Sequence, residues 1–562
     1  MIRRIALPAL LVSLASMGPS CKREEPPPPH AASESPVPAP PTLIVEGTLK
    51  DPDAFWGRLR KGAGAAFAHS PESAAGAILQ WAGIDPSLAP LVSGDLPFHV
   101  ALGDAPDGVA SAIAMKLRDI KTVRDTLVEG ETSRYRGEEI EGMIRLVPRD
   151  GAAPRPGVAV TWSGYLVIAS SASELGTLGA YAARTLPTKP PPESSFELRV
   201  EPAALGRTGK KAPEFAAKVT GILAATARGL LPHEVDPSAL AGCFTQGIQD
   251  TVATAGDLSG ADVHASADEA QLEVVATLVP RAGDGPARKR LQSMHPGSVA
   301  PVLDAPRDSV AALFWSDGAT ARAEDASTLG PCLGRALAPI LGPNGGPRLA
   351  DLLASWARGR GDWQTASFVS RPGTAGLVLR APVADGALAS STLRGFVDLA
   401  SQPSLADAIS GLLPLRAGTV ESFDTPRGGK ASVVMFPVHP AFSRGVPDSS
   451  TTAPELTPAG MAWAVDARDV EVGLGQSPRE LLALATPTTA HRANPSLDHA
   501  MGPLGGEASF VAIFAPPGCC TSDGPGSAPL ALAWGRREGN GRASLAIGDE
   551  LLGLIVTKAT AP

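Results

Sequence analysis

The chain has 562 residues, 44% of them hydrophobic and 19% charged, a balance that excludes an intrinsically disordered chain and allows sizeable cores. Its formal net charge is −8, without a long run of Lys or Arg, so it lacks the basic surface on which nucleic-acid binding depends. Only 4% of the residues are aromatic, whereas Gly and Pro number 60 and 55, and this composition predicts short elements with many turns.

The amino terminus has the pattern of a secretory signal peptide over residues 1–21. A positively charged start precedes an apolar stretch, residues 5–17, that is shorter than the ~20 residues a membrane-spanning helix needs. The small residues before Cys21 resemble the lipobox of bacterial lipoproteins, in which the Cys becomes lipidated and amino-terminal. Gly18 stands where that family has a Leu-like residue, so ordinary secretory cleavage at Ser20 stays open as the alternative.

Residues 22–41 read KREEPPPPHAASESPVPAPP and predict an extended, Pro-rich tether. Polyproline II rises ~3.1 Å per residue, so about twenty residues hold the first domain up to ~60 Å from the anchor. The implied partner is a membrane, reached through a lipid on Cys21. In a Gram-negative host, Lys22 favours the outer membrane by analogy with enteric lipoproteins, and a secreted chain is the alternative.

A β-hairpin followed by a helix recurs along the chain after the tether. Apolar runs on either side of a short polar turn predict each hairpin. A Ser three residues before a Glu predicts the start of a helix, because such a capping box satisfies the first amides. The capping boxes are Ser171 with Glu174 and Ser477 with Glu480, and Pro478 suits a first helical position. The predicted hairpins are, in chain order, 98–117, 158–169, 262–279 and 461–474.

Helical spacing of apolar residues predicts further helices. These are placed after residue 120, over 213–230, from 285, over 348–357, over 393–399 and from 404. The fold class that follows is α+β, with antiparallel β-sheets built from repeated hairpin–helix units and helices packed on one face. The recurrence also suggests a duplication.

Shifts in composition predict the domain bounds. The breaks fall near residues 235–258 and 440–457, and the Pro-rich stretch 185–195 is either a third break or a loop. The predicted organisation is a leader, a tether and three α+β domains, which span residues 42–245, 255–440 and 457–562.

The segments YLVIASSASELGTL and DVEVGLGQSPRELLAL carry the recurring unit. With the lipoprotein-like leader, they resemble a group of large exported bacterial proteins classed as domains of unknown function. The resemblance extends over residues 42–562 and implies no particular activity, cofactor or site residue.

Four cysteines follow Cys21, and export places them in an oxidising compartment. Four cysteines allow three connectivities, and a bridge between adjacent residues is strained. We therefore expect Cys243 and Cys332 to pair with Cys519 and Cys520. A redox or metal site is the weaker reading, because there is no C-x-x-C spacing and no nearby His.

Patterns of nucleophilic and phosphate chemistry are incomplete in this sequence. Ser477 lacks the second Gly of a nucleophile elbow and is better explained as a helix cap. Residues 206–211 have the wrong Gly spacing for a phosphate loop, and Pro478 replaces the third Gly of a dinucleotide fingerprint after Gly473 and Gly475.

Histidines and carboxylates are scattered along the chain. His99 lies on a predicted strand, where a satisfied half-buried or outward-facing imidazole is expected rather than a ligand. The acidic residues are expected to be solvated charges on turns and strands, and most Trp residues to lie in cores. The acidic groups concerned are Asp104 with Asp107, Glu138 with Glu139 and Glu141, and Asp466 with Asp469 and Glu471. The sequence thus assigns no catalytic, cofactor-binding or metal-ligating residue.

Three hypotheses of function follow. The first is a non-catalytic envelope lipoprotein that scaffolds or binds an envelope protein. The second is an envelope hydrolase whose site residues converge only in three dimensions. The third is a carrier of a lipid or another apolar ligand.

Overall fold

The computed structural model describes residues 35–551 with interruptions. The residues left out of this range are 64–69, 106–107, 126–127, 129–134, 150–155, 229–233, 269–270, 307–308, 372, 402–418, 426–428, 437–458, 486–494, 515–529 and 549–550. The predicted lipidation site, the predicted pair Cys519 and Cys520, and the helix predicted from residue 404 lie outside the described residues.

The described helices are numbered in chain order. They are α1 Pro52–Ala63, α2 Ala74–Trp81, α3 Ile120–Arg124, α4 Leu178–Arg184, α5 Pro202–Lys210, α6 Ala212–Arg228, α7 Pro237–Gly256, α8 Pro286–Gln292, α9 Ala300–Leu303, α10 Ala319–Ala336, α11 Ala338–Gly359, α12 Gly386–Ala400, α13 Pro478–Leu484 and α14 Pro495–Met501. Short 3-10 turns cover Pro86–Leu91, Ser173–Leu175, Leu186–Thr188 and Gly502–Leu504.

The strands are likewise numbered in chain order. They are β1 Leu43–Leu49, β2 Phe98–Ala105, β3 Gly108–Lys116, β4 Tyr135–Ile140, β5 Met143–Pro148, β6 Gly157–Thr161, β7 Tyr165–Ala169, β8 Phe196–Val200, β9 Leu258–Ala267, β10 Gln271–Pro280, β11 Gly297–Ser298, β12 Ser309–Ser316, β13 Trp363–Arg371, β14 Thr374–Pro382, β15 Glu421–Asp424, β16 Lys430–Phe436, β17 Ala459–Val465, β18 Asp469–Gln476, β19 Glu507–Ala508, β20 Phe510–Phe514, β21 Leu530–Arg537 and β22 Asn540–Gly548.

The chain folds into two compact units. The first unit includes the described residues 35–209 and 255–282, and the second includes residues 210–254 and 283–545. In the first unit, the antiparallel strands lie in the order β10-β9-β8-β1-β2-β3-β7-β6-β5-β4. In the second unit, they lie in the order β21-β20-β12-β13-β14-β18-β17-β16-β15. The predicted α+β class and its antiparallel hairpins are confirmed.

The strand order of the second unit repeats that of the first. Read from β9 in the first unit and from β21 in the second, each strand has one counterpart, and the series end at β4 and β15. The interval is the same at β1, at β2 and at the residue before α3, because Leu43, Phe98 and Asp119 lie 266 residues before Ser309, Gln364 and Asp385 respectively. Asp119 and Asp385 each cap the helix that follows, with a side-chain oxygen that accepts from a backbone amide. The two units therefore have one sheet topology, and the repeated interval indicates an internal duplication.

Backbone hydrogen bonds outside the strands repeat as well. Leu117 donates to the carbonyl of Gly164 at 2.8 Å, and Val383 donates to that of Arg468 at the same distance. Three further bonds of the first unit have a counterpart in the second. The pairs of bonds are Ser93–Lys116 with Gly361–Pro382, Arg118–Leu91 with Ala384–Gly359, and Lys50–Ser195 with Ser316–Ser509. The repetition thus extends from strand order to individual bonds at the sheet ends.

Small residues of the sheet let the helix that follows the recurring hairpin pack closely on it. In the first unit, α4 packs on a cluster that contains Ala112, Ala114 and Ala169. In the second unit, a Cβ at Gly473 would lie 2.6 Å from the amide nitrogen of Leu482 in α13. Each helix can approach its sheet closely because these side chains are short or absent.

Other helices cover the opposite face of each sheet. Alternate residues of a strand point to opposite faces, and the other face of the first unit packs Phe98 and Met115 against α1 and α2. In the second unit, Leu393 and Val397 of α12 pack with Val470 and Val472 of β18. Helices therefore lie on both faces, within the α+β class.

The capping box predicted at Ser171 and Glu174 is wrong. A 3-10 turn occupies Ser173–Leu175 without a side-chain cap, and α4 begins at Leu178. Glu174 instead accepts a hydrogen bond from the hydroxyl of Thr177 at 2.8 Å. The polar pattern at this point describes a turn that precedes the helix.

The predicted helix after Ser477 is present, with Pro478 at its first position. Ser477 has the left-handed φ of 50° and makes no capping bond. Its hydroxyl donates to the carbonyl of Gly373 at 2.9 Å. The hydroxyl thus joins the start of α13 to the β13–β14 hairpin instead of capping the helix.

The predicted pairing of Cys243 and Cys332 with the Cys519-Cys520 pair is wrong. The structure joins Cys243 of α7 to Cys332 of α10, with their Cα atoms 5.6 Å apart. Their sequence separation is 89 residues, so the contact depends on helix packing that spacing alone does not show. The disulfide lies within the second unit.

Candidate functional site

The residues singled out from the sequence do not converge. His99 is buried, with its Nδ1 3.2 Å from the hydroxyl of Thr48. Burial lowers the pKa of His99 from its usual value to about 4, since a charged imidazole is poorly solvated there. This agrees with a satisfied core imidazole.

Most of the acidic residues have local partners. Asp104 accepts from Arg207 at 2.8 Å, and Glu138 accepts from Arg136 at 2.7 Å. Asp466 accepts from the backbone amides of residues 468 and 469 and so stabilises the β17–β18 turn. Among the described residues, no group of three or more His, Cys, Asp or Glu is placed to hold a metal ion.

The second unit contains a buried ion-pair cluster. Arg360 makes a two-pronged contact with Asp317, whose carboxylate oxygens lie 3.0 and 2.7 Å from its terminal nitrogens. Arg322 donates to the backbone carbonyl of Asp317 at 2.6 Å and to the carboxylate of Asp362 at 2.9 Å. Arg360 and Asp317 are 43 residues apart, and Arg322 and Asp362 are 40 residues apart, so no local motif predicts these two contacts. The cluster fixes the start of α10 against the end of the sheet.

A second cluster of the same unit surrounds Arg380 on β14. Its guanidinium lies between Asp304, at 3.3 Å, and Asp469, at 2.8 Å. It also lies over the ring of Trp363, 5.6 Å from the centroid, which adds a cation–π contact. Asp469 is therefore half of an ion pair rather than a solvated strand charge.

The first unit has a cluster around Glu46, a buried residue of β1. Tyr181 donates to its carboxylate at 2.6 Å, and the Lys189 ammonium lies 2.6 Å from both of its oxygens. Burial first, and then the hydrogen bond to Glu46, raise the pKa of Tyr181 well above its usual value. The phenol therefore stays protonated at neutral pH and acts as a donor.

The carboxylates of these clusters are already paired, which indicates a structural role. Each central carboxylate already accepts hydrogen bonds from an Arg, a Lys or a Tyr side chain. Removing one partner would leave a buried charge, which costs much more than the pair contributes. We therefore assign the clusters to the fold and place the candidate site elsewhere.

The candidate site is a line of apolar side chains across the second unit, called here the apolar row. Its members are cross-strand neighbours on the sheet face opposite α13. From β21 to β16 they are Leu530, Phe514, Ala311, Phe368, Leu377, Leu474, Met461 and Val434. Phe514, Phe368 and Leu474 are 41%, 43% and 41% exposed. Large apolar side chains with this exposure mark a surface suited to binding.

The next row on the same face supports the first. Two residues further along each strand lie Leu532, Ala512, Leu313, Ala366, Leu379, Val472 and Trp463. Several of these form a hydrophobic cluster with the buried Trp315 and Phe510. The apolar row therefore borders a packed core, and its members Met461 and Val434 belong to the cluster that packs against α12.

The apolar row contains one short side chain, that of Ala311. This residue is paired with Phe514 on one side and with Phe368 on the other. Neighbouring strands lie about 4.8 Å apart, so the two Phe positions are separated by about 10 Å. Ala311 is therefore a short side chain between two large, partly exposed ones.

The corresponding line of the first unit has different side chains. Val45 corresponds to Ala311 and stands between Val200 and Leu102. The line then reaches Ser111 and Ser170, where the amide of Ser111 donates to the hydroxyl of Ser170 at 3.1 Å. The short residue between two aromatic ones thus belongs to the second unit. The sequence does not reveal the row, because the cross-strand register is needed to see it.

Comparison of the chain with protein-family models, curated proteins and solved structures finds no match. The resemblance drawn from the repeated segments stays a prediction. No helix among the described residues is long and apolar enough to cross a membrane.

Proposed function

We propose that the chain is a non-catalytic binding lipoprotein of the bacterial cell envelope. In this proposal residues 1–21 direct export, and a lipid on Cys21 holds the protein at a membrane. The single observation that carries the binding function is the apolar row, with three large side chains more than two-fifths exposed. Such exposure costs solubility unless it serves an interaction.

The start of the folded chain supports the tether. Val37 donates its amide to the hydroxyl of Thr185 at 2.9 Å, and that hydroxyl donates to the Val37 carbonyl at 2.6 Å. Val37 also packs on the core of the first unit. Residues 37–41 therefore belong to the fold, and the proposed tether is limited to residues 22–36, which would span about 46 Å at the polyproline rise. The tether is shorter than its composition predicts.

The disulfide is compatible with export. Cys243 and Cys332 are bonded, and disulfides persist mainly in oxidising compartments. This observation supports an envelope or secreted location and does not distinguish between the two.

The test of the binding function is site-specific photo-crosslinking in the host envelope. A photoreactive amino acid at Phe368 should give an adduct of one defined mass, because the apolar row faces the bound molecule. The matched control carries it at Ile222, an exposed apolar residue of α6 that is 59% exposed. Absence of a defined adduct at Phe368, or equal adducts at both positions, would overturn the proposal.

The test of the anchor is a Cys21→Ser variant followed by fractionation. The wild-type chain should sediment with membranes, and the variant should become soluble in the same compartment. A variant that stays with the membranes would show that the lipid on Cys21 is not what holds the protein there.

A carrier of an apolar ligand is the second candidate. The apolar row favours it, because a surface made of apolar side chains suits a molecule without polar groups. A carrier and a scaffold use the same surface, and they differ in what occupies it.

A further inference from the structure

We infer that α6 lies on the surface of an anionic membrane, with one side of the helix inserted at the level of the lipid headgroups. This goes beyond the proposed binding function, because α6 is not part of the apolar row. The observations that carry it are an exposed apolar side on this helix and the basic residues beside that side.

Helix α6 belongs to an addition to the shared sheet topology. The connection from β8 to β9 covers residues 201–257 and contains α5, α6 and α7. The equivalent connection of the second unit joins β20 to β21 and covers only residues 515–529, which are too few for three such helices. The same sheet order forms with and without the addition, so the sheet does not need these helices. An additional element between conserved strands is a candidate for a separate function.

The side of α6 that faces the protein is narrow. Its buried residues are Ala212, Ala216 and Ala224, which are spaced by four and eight residues and so lie along one line of the helix. Thr220 continues this spacing, and its hydroxyl oxygen is 3.0 Å from that of Thr245 in α7. Helix α6 therefore contacts the fold through short side chains.

The larger apolar side chains of α6 lie beside this line. Ile222 and Leu223 are 59% and 37% exposed, and Phe215 and Val219 are partly exposed. Phe215, Val219 and Ile222 occupy positions i, i+4 and i+7, which fall on one side of a helix. These three residues are called here the apolar side of α6. Single exposed apolar residues are ordinary on a protein surface, whereas this arrangement is the pattern of amphipathic helices that bind membrane surfaces.

Basic residues border the apolar side. Residues 210–228 contain four basic side chains and one acidic side chain, Glu214, in a chain of net charge −8, and all five are exposed. Lys211 and Lys218 lie four residues before Phe215 and Ile222 respectively, so each adjoins the apolar side. A Lys side chain can extend along apolar surface and keep its ammonium among polar groups. The helix therefore complements an anionic surface, although the chain as a whole is acidic.

A lipid surface is the occupant that these properties favour. An amphipathic helix with cations beside its apolar side inserts that side at the boundary between headgroups and acyl chains, while anionic headgroups attract the cations. In the proposed arrangement, the tether of residues 22–36 would hold the chain within about 46 Å of the membrane, which raises the local concentration of lipid at α6. A protein with an acidic groove is the alternative that the experiment distinguishes.

The experiment measures cosedimentation of the mature Cys21→Ser chain with lipid vesicles. This chain carries no lipid, so its binding does not depend on the anchor. It should bind vesicles of equal parts phosphatidylglycerol and phosphatidylcholine about tenfold or more tightly than vesicles of phosphatidylcholine alone. Added salt should weaken binding to the anionic vesicles, because the cations of α6 are exposed.

Substitutions on α6 locate the contact. The double variant Lys211→Glu and Lys218→Glu should weaken binding to anionic vesicles about tenfold or more, because both bordering charges are reversed. The matched control, Lys121→Glu with Lys289→Glu, changes the net charge equally at exposed positions of α3 and α8 and should bind as the Cys21→Ser chain does. Ile222→Ser should weaken binding about threefold or more, whereas Ile222→Leu should retain it.

Thermal unfolding midpoints check that each variant is folded. Equal binding to the two kinds of vesicle, no binding to either, or an equal loss in the Lys211 and Lys218 variant and its control would overturn the inference. In the crosslinking experiment above, a photoreactive residue at Ile222 should give phospholipid adducts, which differ in mass from the adduct expected at Phe368. A protein crosslinked at Ile222 instead would overturn the membrane contact and leave the binding function of the apolar row intact. Vesicle binding without any adduct at Phe368 would overturn the binding function alone.

Discussion

The two units share one sheet topology and differ in the side chains that the sheet carries. At equivalent sheet positions, Ala114 of the first unit corresponds to Arg380 of the second, and Val92 at the isolated bridge corresponds to Arg360. The second unit accommodates these cations because Asp304, Asp469 and Asp317 face them. A duplicated antiparallel sheet thus tolerates charge in place of apolar contact when every new charge gains a partner.

At the apolar row the change between the units has the opposite sense, because here polar residues of the first unit correspond to apolar residues of the second. The first unit ends its line with a serine pair that satisfies itself, whereas the second exposes large apolar side chains. Strand order and backbone bonds are retained in both. Within the sheet, divergence is therefore mainly in the side chains, and the row is where it alters the surface.

The largest expected effect is at the buried cluster that the first unit lacks. Arg360→Ala should lower the free energy of unfolding by about 3 to 5 kcal/mol, because the Asp317 carboxylate is left buried without its partner. Urea unfolding measures the change. The matched control is Arg371→Ala, whose exposed pair with Glu480 should contribute about 0 to 1 kcal/mol. Similar losses for both variants would contradict the structural role of the cluster.

The disulfide is the next test. Replacing Cys243 and Cys332 together by Ser should lower the stability of the second unit by about 4.6 kcal/mol in the chain-entropy model, since the bond spans a sequence separation of 89 residues. Guanidinium unfolding under oxidising and reducing conditions measures it. A reductant should destabilise the wild type and leave the double variant unchanged. An equal response of the two proteins would show that the bond does not stabilise the fold.

The buried histidine gives the first unit a pH dependence. The pKa of His99 is about 4 in the folded chain and near 6.5 when unfolded. Between pH 6.5 and pH 4 the imidazole is protonated in the unfolded chain and neutral in the folded one. The free energy of unfolding is therefore highest above pH 6.5 and falls by about 3 kcal/mol in all as the pH falls toward 4. His99→Thr introduces the residue found at the equivalent position, Thr365, and should reduce this slope. A pH profile of stability identical to that of the wild type would contradict the assignment.

Replacing Gly473, on which α13 packs, should give the smallest of these stability changes. Gly473→Ala should destabilise the second unit by about 1 to 3 kcal/mol, because the added Cβ meets the helix backbone. Gly57→Ala is the control, since a Cβ at this helical position of the first unit has no neighbour within 4 Å. It should stabilise by about 0.5 to 1 kcal/mol. Differential scanning calorimetry distinguishes the two signs, and a neutral Gly473→Ala would show that α13 packs on the sheet less closely than described.

Local sequence signals predicted the local structure. Alternating apolar residues placed the hairpin at 98–117, and Pro478 marked the start of α13. The prediction failed at Ser171, where a Ser three residues before a Glu fits a turn as well as a helix cap. Short-range patterns identify elements and leave their termini open.

Long-range features could not be predicted in the same way. Arg360 and Asp317 are 43 residues apart, and the Cys243–Cys332 bond depends on how two helices pack. The apolar row joins eight strands that lie between residues 309 and 537, so it exists only once the register is fixed. These contacts follow from topology, which no single window of sequence contains.

The most direct test of the account is mass spectrometry, native and then denaturing, of the mature protein extracted from its own host's envelope. A diacylglycerol-type mass is expected on Cys21 and, under native conditions, one additional bound molecule that dissociates on denaturation. An unmodified amino terminus with no bound molecule would contradict both the membrane anchor and the binding function assigned to the apolar row.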